Sequence, residues 1–187
     1  MITREEALQL LHAKNNEHNL ICHALESEAV MRGLAEKLGQ DEELWGISGL
    51  LHDLDYATTK EDHDRHGLDT VEMLDGKLPD EALNAIRRHA YEMNGAEEPS
   101  TQMDFALRCG ETVTGLIHAA ALVRPTKIDG MKPKSLKKKM KDKAFAASVN
   151  RDCIRECDKI GIELTEFLQI AIASITAIAP TVGLTAE

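Results

Sequence analysis

Aromatic residues are scarce in this chain of 187 residues: three Phe, two Tyr and one Trp make up only 3%. Strands on a half-buried sheet draw on Val, Ile, Tyr and Trp in alternation with polar residues. No such stretch is present, so a sheet-based fold is excluded. The four cysteines (22, 109, 153 and 157) form no CxxC pair, and at this size nothing argues for a disulfide scaffold. Cys153 and Cys157 lie four apart on one helical face, the pattern of reduced thiols lining a core. No run approaches the ~18 apolar residues that span a bilayer. The opening segment MITREEALQLL is a charged amphipathic helix, not a basic stretch followed by an apolar one. The expectation is a cytoplasmic protein with no membrane partner.

Positive charge is also in deficit. Thirty-two acidic residues against 22 basic ones leave a formal net charge of −10, which does not suit duplex nucleic acid as a partner. The basic residues are unevenly spread. Between Lys127 and Lys143 there are eight lysines (127, 132, 134, 137, 138, 139, 141 and 143) against Asp129 and Asp142. A local basic segment on an acidic protein suits one small anion better than a long polyanion.

What the chain does have is 43% apolar content, carried by Leu, Ile, Ala, Val and Met at helical spacing. Thr3 with Glu6 forms a capping box for a helix to about Lys14. A second helix runs over roughly 18–38 and stops at Gly39. Asp41 caps a third, which runs into HDLDY. Further helices are predicted near 65–75, after a cap at Asp80, over 102–123, from Ser135, and near 151–160 and 163–179. YEMNGAEEPST reads as a loop. The prediction is one all-α domain over 1–187, with 135–187 forming a C-terminal helical cap.

His52-Asp53 follows an apolar helix and is followed by Asp55, so several polar groups arrive at the inner end of a buried element. Unpaired burial would cost several kcal/mol, which a divalent cation commonly offsets. The other reading open at this spacing is a helix C-terminus, with His52 bonded to a carbonyl and Asp53 capping the next turn. The wider pattern favours the cation. His23, His66, His89 and Glu111 each fall on a different predicted helix, and a bundle can aim such groups at one point. Imidazole with carboxylate suits Fe, Mn, Zn, Ni or Co. His12, His18 and His63 read as solvated, and His118, among alanines, reads as a core histidine.

Five ordered segments carry a resemblance to the HD superfamily of metal-dependent phosphohydrolases. GLLHDLDY matches its signature, HGLDTVEML and AIRRHAYEMNG match the segments that give dinuclear members extra histidines, and TGLIHAAALVRPTK and SLKKKMKDKAFAASVNRD match a bacterial and archaeal subgroup. The resemblance implies a compact helical bundle holding one or two divalent ions. His23, His52 and Asp53 would hold the first, Asp53 would bridge, and His66 and His89 would hold the second. Where the family carries Asp in a segment like VDELTG, this chain has GETVTG, so Glu111 stands in that place, with Asp104 a weaker substitute.

The implied activity is hydrolysis of a nucleotide or other small phosphate ester by a metal-activated water. Arg124, Lys127, Lys137 and Lys138, with Lys139, are candidates to hold the substrate's phosphates. Asp53 and Asp55, or Glu92, are candidates for the catalytic carboxylates. The resemblance extends to HD-fold di-iron oxygenases with the same ligand set, and the lysines alone would suit a metal-silent module that senses an anion.

Overall fold

The computed structural model describes residues 1–15 and 17–186; Asn16 and Glu187 lie outside it. The described residues contain no strand. Helix α1 is Arg4–Lys14 and α2 is His18–Leu38, followed by α3, Glu42–Leu51, and a single turn α4, Tyr56–Thr59. After a 3-10 turn at His63–Arg65 come α5, Leu68–Leu74, and α6, Asp80–Arg88. Another short turn, α7, Tyr91–Asn94, precedes α8, Gln102–Leu122. The chain ends with α9, Pro133–Lys141, α10, Arg151–Arg155, a 3-10 turn Glu156–Ile160, and α11, Leu164–Ala177.

The expected caps account for most boundaries. Thr3 and Glu6 form the capping box of α1, and the Asp41 carboxylate accepts from the Glu43 and Leu44 amides at 3.0 Å at the start of α3. Each cap stabilises by about 1 kcal/mol. Three local readings are corrected. Pro79, not Asp80, occupies the cap position of α6, and it offers no side-chain bond; Asp80 and Glu81 act as first-turn acids against the helix dipole. The segment read as a loop begins with α7, which closes on Gly95 at φ +72. The helix expected over 151–160 is α-helical only to Arg155 and then tightens into the 3-10 turn.

Helix α2 is the axis of the bundle: α3, α8 and α11 all rest on it. The approach of α3 depends on Gly49, where a Cβ would stand 2.7 Å from the Ser27 carbonyl oxygen and 2.9 Å from Met31 Cγ. The backbones of α2 and α3 can therefore close up only with a glycine at this position, which brings His23 and His52 within reach of each other. One apolar cluster runs from Ala7 to Leu184 and includes Val30, Leu34, Trp45, Ile117, Phe167 and Ile175. Burying each such side chain is worth roughly 1.5–3 kcal/mol. Residues of α9 and α11 enter this same cluster, and α11 contacts α2, α8 and α9. Among the described residues no single helix is long and apolar enough to cross a membrane.

Candidate metal centre

Three of the four clustered histidines stand at helix C-termini. His52 ends α3, His66 ends the 3-10 turn at His63–Arg65, and His89 ends α6. The last carbonyls of a helix lack an internal partner. His52 Nδ1–H donates to Gly49 O at 2.8 Å, and His89 Nδ1–H donates to Ile86 O at 2.6 Å. A carbonyl can only accept, so in both rings Nδ1 carries the proton and Nε2 points inward. The two local readings of His52 are therefore compatible: one ring nitrogen satisfies the helix end and the other is left for a cation.

The other two rings are oriented in the same sense. His66 Nδ1–H donates to Asp55 Oδ1 at 2.9 Å. His23, on α2, donates from Nδ1 to Thr114 Oγ1 at 2.9 Å, while the Thr114 hydroxyl donates to Glu111 O at 2.6 Å. All four Nε2 atoms therefore face one point, and supports of this kind set the tautomer and basicity of metal-binding histidines. Gly67 tightens the His66 side of the centre. It sits at φ +80, and a Cβ there would meet Ile86 O at 3.1 Å and His89 Cε1 at 3.3 Å.

Asp53 lies at the meeting point. Its Oδ1 is 3.2 Å from His52 Nε2, 3.5 Å from His66 Nε2 and 3.3 Å from His89 Nε2. Its Oδ2 is 3.5 Å from His23 Nε2. The Nε2 atoms also meet in pairs, His23 with His52 at 3.2 Å and His66 with His89 at 3.1 Å. Two groups of potential ligands result, His23–His52–Asp53 and Asp53–His66–His89, with Asp53 common to both. Ligand atoms around an ion with bonds of ~2.1 Å lie roughly 3.0–3.4 Å apart, close to these spacings. Asp53 Oδ1 is buried without a hydrogen-bond partner. An anionic oxygen left in that state is costly, and a cation between it and the converging nitrogens removes the cost. The residues fit one or two divalent ions.

Without a cation, protons take its place. Burial opposes a charge on His23, but the hydrogen bond and charge of Asp53, with Glu111 behind, override it and raise the ring to about 9. His89 is raised by the same balance of burial against Asp53 and Glu111. Burial pushes His52 down to about 3, so it stays a neutral lone-pair donor. Burial also opposes ionisation of Asp53, yet the surrounding histidines hold it well below the usual carboxylate range.

Residues 20–141 match the family model for the HD domain. The chain belongs to the HD domain family. This is the superfamily of metal-dependent phosphohydrolases, whose members bind divalent metals. No curated protein matches the chain, and no solved structure does. The matched stretch includes His52-Asp53, where α3 ends.

Other expected site residues lie elsewhere or are already engaged. Glu111, on α8, brings Oε2 to 3.8 Å from His23 Nε2, while its Oε1 accepts from the Thr112 hydroxyl. It borders the first group without closing it, and burial raises its carboxyl above the ordinary value. Asp104 completes the capping box that Thr101 opens on α8 and accepts from Arg88 and the Ser100 and Thr101 amides, so its carboxylate is already engaged away from the centre. Asp55, the expected proton carrier, is fully buried and also accepts from the Gly67 and Thr70 amides at 2.7 and 3.0 Å. Glu92 is likewise committed, gripped by both terminal nitrogens of Arg108.

Three of the expected phosphate-binding cations are engaged outside the centre. Arg124 braces its own loop through Thr126 Oγ1 and Asp129 O. Lys137 donates to Thr165 on α11, and Lys139 lies over the Phe145 ring. Lys138 is exposed on α9, and Lys127 lies in the loop after α8, where its charge acts on His118; among the described residues none of these five pairs with a member of the centre. The cysteines are all buried and free, with burial pushing Cys153 and Cys157 up to about 12, as thiols.

Sequence reasoning missed Thr114, which orients His23, although its place three residues after Glu111 on the same helical face was a signal. It also missed Arg108, which donates to His89 O at 2.7 Å while bridging Glu92 and Glu156. His118, expected as a core histidine, is partly exposed, and its Nδ1 lies 2.6 Å from Glu26 Oε1.

Proposed function

We propose that this HD domain protein is a phosphohydrolase that cleaves a nucleotide or other small phosphate ester with water. The observation that carries the reading is the buried, unpartnered Asp53 Oδ1 with three Nε2 atoms within 3.5 Å. His23, His52 and Asp53 would hold one divalent ion, and Asp53, His66 and His89 a second. A cation held there supplies Lewis acidity toward phosphate oxygens and makes a water nucleophilic near neutral pH.

The chain's own residues do the rest. Gly49 O, Ile86 O, Asp55 and Thr114 lock the four rings with Nε2 inward, so little reorganisation is needed when substrate arrives. Glu111 adds negative charge at the open side of His23. Asp55, beneath His66, accepts from Nδ1–H at 2.9 Å and so leaves Nε2 turned toward the centre. The partner in this reading is a small phosphate-containing anion.

Purified protein reconstituted separately with Mn, Fe, Co, Ni and Zn would be assayed for phosphate release from a panel of monoesters and diesters, alongside elemental analysis. The expected result is metal-dependent turnover that is lost in Asp53→Ala together with bound metal. Iron content with oxygen uptake and no phosphate release would replace hydrolysis by di-iron oxygenation. Absence of bound metal under all conditions would leave an anion-sensing module instead.

A further inference from the structure

A cleft of about 250 Å³ opens between α2 and α8 with His23 in its wall. Asn19, Glu26, Thr114, His118 and Leu122 share that wall. Two features separate it from a plain groove. Glu26 is a carboxylate only 1% exposed, and it accepts from His118 Nδ1 at 2.6 Å. His118 itself is partly exposed, its side chain 28% accessible, and its Nε2 has no protein partner among the described residues. The second feature is apolar. Leu122 and Val123, at the end of α8, are 52% and 63% exposed, and Ala119 also lines the cleft.

We propose that this cleft is the leaving-group subsite of the centre: it takes the compact, largely apolar alcohol part of a phosphate ester, and His118 protonates the departing oxygen. The inference rests on the hydrolase reading. Geometry supplies its parts. A histidine held through Nδ1 by a buried carboxylate has its Nε2 left over, and His118 shares the wall of its cleft with His23, a member of the metal centre. The volume is below that of most sites for larger ligands, so the match is a small alcohol in preference to a nucleoside. The groups acting on His118 are Glu26 and His23 from α2 and Lys127 beyond α8. The Glu26 hydrogen bond lifts the ring above its ordinary value, against burial and the charges of His23 and Lys127.

The step balances without a redox partner. Water oxygen bonds to phosphorus and the bond from phosphorus to the alcohol oxygen breaks. That oxygen leaves with the electron pair and takes the Nε2 proton of His118. The proton given up by the attacking water returns through solvent to His118, leaving one alcohol and one phosphate for each water consumed. Glu26 is a positioning residue, and His118 is the proton donor.

Two measurements test this. In turnover, His118→Gln should lower kcat for a simple alkyl phosphate on the order of 100-fold or more. It should change p-nitrophenyl phosphate little, because that leaving group departs without a proton. Glu26→Gln should shift the alkaline limb of the alkyl-phosphate profile to lower pH. In calorimetry on the metal-replete protein, phenylphosphonate should bind at least ~10-fold tighter than inorganic phosphate. Ala119→Leu, at a partly exposed position, should erase that advantage while leaving phosphate binding intact. Equal loss on both esters in His118→Gln, or none on either, overturns the proton-donor role. Equal binding of phenylphosphonate and phosphate overturns the subsite. If the parent hydrolyses no ester, the hydrolase reading and the proton step fail together, and the phenylphosphonate preference alone decides whether the cleft is a binding site.

Discussion

Replacing Asp55 by Asn preserves shape but reverses the bonding capacity of one side-chain atom. The carboxylate has only donors around it: His66 Nδ1 at 2.9 Å, the Gly67 amide at 2.7 Å, the Thr70 amide at 3.0 Å, and the Thr59 hydroxyl more distantly at 3.5 Å. An asparagine must point its NH2 at one set of them. Facing the two amides, it strands two buried donors at about 1–3 kcal/mol each. Facing His66, it removes the bond that orients that ring. The first arrangement costs about 3 kcal/mol, and at 2–4 °C per kcal/mol for a chain of this size Tm should fall by ~6–12 °C. The second should weaken the Asp53–His66–His89 metal position on the order of 10–100-fold.

Acid sensitivity gives an independent check on Asp55. Burial works against its ionisation, but His66 and the two amides win, and the carboxyl is depressed. Stability from such a group is present above its unfolded value near 4 and is lost as pH falls through the lower folded value. The parent should therefore lose stability below about pH 4 in part through Asp55, and Asp55→Asn should lack that part. Thermal melts over pH and metal titrations followed by elemental analysis measure both effects, and kcat at saturating metal separates the roles. A variant that keeps its Tm and metal affinity but loses kcat with the metal positions full would refute the support role and restore Asp55 as a proton carrier.

Three further outcomes are expected. His66→Ala with His89→Ala should halve the metal stoichiometry with the helical content intact, and unchanged stoichiometry would argue against a second position. Glu111→Asp should retain metal, whereas Glu111→Ala should weaken the first position on the order of 10–100-fold; equal metal affinity in Glu111→Ala and the parent would show that Glu111 is no ligand. In the metal-free protein, His23 raised from 6.5 to about 9 contributes stability that is complete below pH 6.5 and lost as pH rises through 9. Metal must displace that proton, so affinity should climb through the same window, up to ~10-fold per pH unit for one proton. Calorimetry in buffers of differing ionisation enthalpy reads the proton release, and a flat pH dependence would contradict it.

The sequence by itself determined the all-helical class and most of the helices, and it pointed to the histidines and Asp53 that come together. Its few aromatics and its 3.6-residue apolar spacing permit only an α-bundle, and caps such as Thr3 and Asp41 depend on neighbours three residues away. His52-Asp53 is legible from the apolar helix that it follows, and His66 and His89 as partners of Asp53 from the resemblance to the HD superfamily. The tertiary structure alone decided what each group does there. Asp53 becomes shared because α3 ends against α2 where Gly49 permits close contact, and no local pattern carries that approach. Asp55 is a support because Gly67 and Thr70, twelve and fifteen residues on, turn their amides toward it. Glu111 borders the centre through the way α8 crosses α2, and the same crossing pairs His118 with Glu26, 92 residues apart. Spacing along a helix tells which side chains share a face. Which face meets which, and which oxygen is left without a partner, follows only from how the helices close on one another.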